Sequence, residues 1–197
     1  YLDAAKRGVT RIGMIVQNLA DAASLEDALA AEETEVINLY DLLQNYLANC
    51  RTTRPDREFK YQGIDKGIAT KVSDYRVEQL LDKLIDNAID FSDPGSAITV
   101  GINADAQNLT LFVTNQGPTI SEDMLDSVFD SMVSIRESNP DNRLHFGMGL
   151  YVVRIIAERH GGSVNATNLS DGKGVSIKVV LPIYRDSNQH QSSIAAS

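Results

Sequence analysis

Apolar and small side chains recur at Leu2, Ala5, Val9, Ile12, Val16, Leu19 and Ala23, in steps that alternate three and four. This spacing predicts a helix with a heptad seam; Lys6, Arg7, Arg11 and Asp21 fall off the seam. Such a helix either docks on its own domain or forms half of a dimerising helical hairpin. Asp27 to Glu35 is acidic and polar and reads as a connector. Beyond it, short strands alternate with helices. Val36-Ile37 is a brief strand, and Leu39–Cys50 is an amphipathic helix carrying Leu39, Leu42, Leu43, Tyr46 and Leu47. Glu58–Gln62 and Ile68–Val72 are strands. Asp74 caps a second helix with Val77, Leu80, Leu81, Leu84, Ile85, Ala88 and Ile89 inward, and Asp93-Pro94-Gly95 ends it. Ala97–Ala104 and Leu109–Asn115 are strands joined by a turn. A short helix is predicted from Ser121 to Phe129, then a long polar loop over Ser131–Phe146. Gly147-Met148-Gly149 opens a third helix that stops at Gly161-Gly162. Ser163–Asn168 and Gly174–Leu181 form a closing hairpin, and the tail from Arg185 is predicted to be disordered. The order predicts an α/β fold: one sheet covered on one face by helices, a two-layer sandwich.

Composition narrows the function. An apolar share of 43% is enough for a substantial core and excludes general disorder. With 18 basic against 27 acidic residues the net charge is −9, and no basic stripe offers itself to nucleic acid. The lone Cys50 excludes an internal disulfide framework and a thiolate metal cluster, and suits a reducing compartment. No apolar run approaches the roughly 20 residues that span a bilayer, and no signal peptide is evident. The chain opens inside a running helical pattern and reads as a piece of something longer.

Four segments carry the chemistry. Leu81-Asp82-Lys83-Leu84-Ile85-Asp86-Asn87-Ala88-Ile89-Asp90-Phe91 resembles the N box of two-component sensor histidine kinases. Asn115-Gln116-Gly117-Pro118-Thr119-Ile120 is similar to their first glycine box, and Val128-Phe129-Asp130-Ser131-Met132 to their F box. Phe146-Gly147-Met148-Gly149-Leu150-Tyr151-Val152-Val153 resembles the second glycine box. Four such segments in order are far more specific than any one alone. The resemblance covers residues 34–183 as a catalytic ATP-binding domain of the Bergerat type, a mixed sheet covered by three helices. Residues 1–30 resemble the second helix of the dimerisation and phosphotransfer hairpin, and 184–197 make a flexible tail.

The residues fit this independently. Asn87 is a polar residue among apolar helix neighbours, and the resemblance makes it the ligand of Mg²⁺, a hard ion that prefers oxygen. Gly147 and Gly149 let the backbone approach a ligand just before a helix, where free N–H groups favour phosphate. Met148 and Leu150 flank that cradle. Phe91, Gly117 and Ile120 join the ATP site through their boxes. The polar loop would be the nucleotide lid; its cations, Arg136 and Arg143, either reach the triphosphate or face solvent.

The chain departs from the family pattern in three places. Asn115 stands where the family has an aspartate that accepts the adenine amino group; its amide oxygen still accepts, without charge. Thr119 replaces the box's second glycine, after Pro118. In the N box, Lys83 stands where many members have a second asparagine, and Asp90 where they have a lysine. Positions 83, 87 and 90 share one helical face. Lys83 then contacts phosphate while Asp90 faces the magnesium hydration shell, or the two are an ordinary solvated pair.

Lys83 also bears on reaction class. Related ATPases of the topoisomerase, mismatch-repair and chaperone type have a glutamate there as general base for water, a task a protonated lysine cannot perform. The nucleophile is therefore expected from another protein surface, in this family a histidine on the hairpin. His145, His160 and His190 lack its setting, so the phosphoacceptor is expected upstream of Tyr1. The resemblance implies a protein histidine kinase that takes the γ-phosphate of ATP, with Mg²⁺, to that histidine and onward to a response regulator receiver domain. It further implies a homodimer through the N-terminal helix and the cytoplasmic part of an inner-membrane sensor, anchored only by segments outside this chain. The rivals are a conformational ATPase, a serine-directed kinase and a degenerate nucleotide-binding scaffold.

Overall fold

The computed structural model describes Val9, Gly13, Val16 and residues 32–130 and 148–185. The tail from 186, Arg136, Arg143, His145 and Gly147 lie outside the described residues, as do the other residues of the segment over which the sequence predicts an N-terminal helix. Val9, Gly13 and Val16 are helical and exposed.

The elements run β1 (Glu35–Asn38), α1 (Leu39–Thr53), β2 (Phe59–Gly63), β3 (Ala69–Val72), α2 (Asp74–Asp90), β4 (Ile98–Ala104) and β5 (Asn108–Gln116). Two 3₁₀ turns follow, and then α3 (Met148–Arg159), β6 (Ser163–Asn168) and β7 (Gly174–Pro182). The α/β expectation stands: a five-stranded sheet in the order β2-β4-β5-β7-β6 carries the helices. It is mixed, because β2 pairs with β4 in parallel while the other neighbours are antiparallel.

One face of this sheet is apolar by strict alternation. Leu109, Leu111 and Val113 on β5 and Ile177, Val179 and Leu181 on β7 are buried against the helices. The helices answer with Leu39, Leu43 and Leu47 of α1, Leu80, Leu81, Leu84 and Ile85 of α2, and Val153, Ile156 and Ala157 of α3. The opposite face is more polar; Thr114 Oγ1 donates across it to Ser176 Oγ at 2.9 Å.

Three details differ from the sequence reading. β1 and β3 do not join the main sheet; they form a separate antiparallel ribbon. Thr70 Oγ1 donates to the Pro182 carbonyl at 2.9 Å and the Tyr184 amide to Ala69 at 2.8 Å, which fastens that ribbon to the end of β7. The segment after Ser121 makes two 3₁₀ turns, Glu122–Met124 and Ser127–Phe129, in place of a helix. Only Val128 and Phe129 are buried there, too little apolar face to support an α-helix of that length. The cap of α2 is Ser73, whose Oγ accepts from the Arg76 amide at 3.4 Å; Asp74 is already helical.

Candidate functional site

The rotation of α2 about its own axis is set from two sides. Its buried face is Val77, Leu80, Leu81, Leu84, Ile85 and Ala88. On another face, Tyr46 of α1 donates to Asp82 at 2.6 Å, and Arg54 pairs with Asp86 at 2.8 Å. Burial, and then the bond to Asp82, push the Tyr46 hydroxyl well above its ordinary titration range, so it stays a donor. With that face occupied, Lys83, Asn87 and Asp90 share a third, half-buried stripe that continues into Phe91.

At its C-terminal end α2 meets β5. The Phe91 amide closes the last turn on the Asn87 carbonyl at 3.1 Å. Asn115 lies on the inward face of β5, only 4% exposed, and its Nδ2 donates to the Phe91 carbonyl at 3.1 Å. The Asp93 amide donates to the Gln116 carbonyl at 2.8 Å, and the Gly117 amide to Lys173 at 3.3 Å. Gly117 is required here: a Cβ on it would stand 2.1 Å from the Phe91 oxygen.

The rest of the first glycine box is held by a residue that sequence reasoning missed. Asn168, at the end of β6, accepts from the Ile120 amide at 2.9 Å and donates to the Ile120 carbonyl at 2.7 Å. The side chain thus completes a strand-like pair with one peptide unit. Its signal was parity: positions 164, 166 and 168 share a face with buried Ala166, so an asparagine there needs a polar partner.

Met148, Gly149 and Leu150 form the first turn of α3, which packs on α2. Leu150 points into the core at 9% exposure. A Cβ added at Gly149 meets no described atom within 4 Å, so protein packing among the described residues does not demand a glycine there. The structure therefore brings Phe91, Asn115 and Gly117 to one joint, with Lys83, Asn87 and Asp90 on the helix leading to it, while Ile120 is held by Asn168. Among the described residues no group of three or more His, Cys, Asp or Glu could hold a metal by itself. Asn87 carries an amide oxygen on this stripe, a donor type that suits a hard ion such as Mg²⁺.

His160 is buried outside this site. Its Nε2 accepts from the Ser73 amide at 3.0 Å and its Nδ1 faces the Ile156 carbonyl at 2.7 Å, tying the end of α3 to the start of α2. Beside it, Glu32 accepts from Arg76 at 2.5 Å and from Ser73 Oγ at 3.1 Å. Cys50 is buried too, which pushes its thiol up and leaves it a packing residue.

Residues 73–185 match the family of histidine kinase-, DNA gyrase B- and HSP90-like ATPases. The chain is similar to the sensor protein ChvG of Rhizobium meliloti (strain 1021), 27% identical over 193 residues, which covers 92% of this chain and 33% of the relative. The first curated relatives it matches are covered over only 19% to 33% of their own length. In fold it resembles the mycobacterial sensor histidine kinase MprB, with a TM-score of 0.64 and 22% identity over 78% of this chain and 99% of that one. It also resembles histidine kinase ThkA in its complex with the response regulator protein TrrA, with a TM-score of 0.67 and 18% identity over 91% of this chain and 49% of that one. The chain belongs to the family of histidine kinase-, DNA gyrase B- and HSP90-like ATPases.

Proposed function

We propose that residues 34–183 bind Mg-ATP and present its γ-phosphate to a histidine on a hairpin of which residues 1–30 are the second helix, with 184–197 a tail. Asn87 would hold the metal, with Asp90 toward its hydration shell, and the ion supplies neutralisation of phosphate charge. Lys83, Arg136 and Arg143 supply the remaining positive charge. The turn at Gly147, Met148, Gly149 and Leu150 offers free N–H groups to the phosphates at the start of α3. Asn115 Oδ1 accepts the amino group of adenine, with Phe91, Gly117 and Ile120 forming the walls around it. These groups position and neutralise; the nucleophile comes from the hairpin.

The observation that carries this reading is the buried Asn115 fastened to the end of the helix that bears Lys83, Asn87 and Asp90. The absence of a general base at position 83 favours transfer to a protein over attack by water. The solved complex of ThkA with the response regulator protein TrrA supports a response regulator as partner, and the heptad seam supports a homodimer. No helix among the described residues is long and apolar enough to cross a membrane.

Radiolabelled ATP tests it. The chain alone should neither label itself nor hydrolyse ATP appreciably; mixed with a separate histidine-bearing hairpin, it should place an acid-labile, base-stable phosphate on the hairpin. Steady hydrolysis by the chain alone would favour the conformational ATPase instead.

A further inference from the structure

Apolar burial holds a helix down without fixing how far it is turned, because hydrophobic contact is non-directional. α2 is held by more than that. Tyr46, Cys50 and Arg54 stand four residues apart, on one stripe of α1 that ends at its C-cap. Asp82 and Asp86 stand four apart on α2. The Tyr46 hydroxyl donates to Asp82 at 2.6 Å and the Arg54 guanidinium to Asp86 at 2.8 Å, so one stripe grips the other at two points. The far end of the α1 stripe is itself fixed. The Arg54 amide closes the helix on the Cys50 carbonyl at 2.9 Å, and its guanidinium rests 3.8 Å from the buried Cys50 sulfur.

We propose that α1 sets the phosphate end of the site: Tyr46 and Arg54 are positioning residues that hold Lys83 and Asn87 in place through Asp82 and Asp86. The consequence for a ligand rests on the nucleotide reading above; the grip between the helices does not. Each gripped carboxylate is followed at once by a site residue, Asp82 by Lys83 and Asp86 by Asn87. A side-chain tip stands about 6 Å from the helix axis, so a turn of about 20° carries it about 2 Å. A shift of about 1 Å already matters to a group that must meet phosphate or metal. The two anchors are unequal. Tyr46 is a buried donor to a charged acceptor, whereas the Arg54 and Asp86 side chains are 32% and 55% exposed, and water competes for them. Tyr46 therefore carries the greater part.

The test titrates ATP and AMP, both with Mg²⁺, and follows nucleotide-free unfolding in the same proteins. Tyr46→Phe keeps the ring and removes one hydroxyl; it should weaken ATP about fivefold or more and AMP less than about twofold, because AMP lacks the outer phosphates. Arg54→Gln should shift the same ratio by less. Asp82→Leu should match Tyr46→Phe, and the double variant should be no worse than either, since both changes cut one bond. Asp82→Asn keeps an acceptor oxygen and should behave as wild type. Ile102→Val, in buried β4, should lower stability and leave the ratio of ATP to AMP affinity unmoved. Equal losses of ATP and AMP in Tyr46→Phe, losses that multiply in the double variant, or a ratio that Ile102→Val also shifts would each overturn the proposal. Should wild type bind neither nucleotide, the nucleotide reading fails, and the unfolding cycle still decides the grip. Coupled losses for Tyr46→Phe and Asp82→Leu support it, and additive losses contradict it.

Discussion

Lys83 is the residue at which this chain's site is most its own. Half-buried one turn before Asn87, it can give a phosphate a charge-assisted hydrogen bond, worth about 1.5–3 kcal/mol. Lys83→Ala should therefore weaken ATP on the order of tenfold to a hundredfold and AMP far less, since AMP lacks the outer phosphates. Equal losses for the two nucleotides in parallel titrations would remove Lys83 from the phosphate site. Glu32 makes a second, pH-dependent case. Burial opposes its charge, but the bonds from Arg76 and Ser73 outweigh that and hold its carboxyl below the ordinary 4.5. Its contribution is complete above pH 4.5 and is lost as pH falls through the lower folded value. Glu32→Gln should thus lower unfolding free energy by up to ~1 kcal/mol at pH 7, with the gap to wild type closing in acid. The resemblance to the first glycine box made Asn115 legible as a site residue. The partner of its Nδ2 was not, because a contact between residues 91 and 115 depends on how a helix end meets a strand.

Periodicity carried the elements well wherever a regular face is buried. The inner residues of α2 were plain in the chain, and the structure buries all of them but Ile89, which is half-buried. It failed where tertiary packing decides. Val36-Ile37 and Ile68–Val72 look like sheet strands, yet whether a short strand joins the main sheet or pairs elsewhere is a question of topology. The polar segment after Ser121 satisfies its backbone with three-residue turns, a choice no apolar period signals. The meeting of α2 with β5 gives the element-scale prediction. Gly117→Ala puts a Cβ 2.1 Å from the Phe91 oxygen, so backbone must move. The variant should lose about 1–3 kcal/mol in urea unfolding and bind ATP more weakly. Gly149→Ala meets no described atom and should leave unfolding unchanged while still weakening ATP, if the turn approaches phosphate. Unaltered ATP binding by Gly149→Ala would remove that turn from the site.

At the scale of the molecule, one sheet face and three helices build a platform whose polar groups gather at a single edge. The helix carrying Lys83, Asn87 and Asp90 is locked from behind by Tyr46 and Arg54 and pinned ahead by Asn115. Four boxes in order made this platform recognisable, because each marks a place where backbone must come close or a polar group must sit on an apolar element. The fastening between the boxes was not readable, since parity marks Asn168 as needing a polar partner without saying which, and Asp82 looks like an ordinary surface residue until Tyr46 is in place. The measurement that bears most directly on the account is calorimetric titration of wild type and Asn87→Ala with ATP, each with and without Mg²⁺. Wild type should bind usefully only with the ion, and Asn87→Ala should lose both that dependence and most of the affinity. Equal binding by the two proteins, or binding indifferent to Mg²⁺, would contradict it.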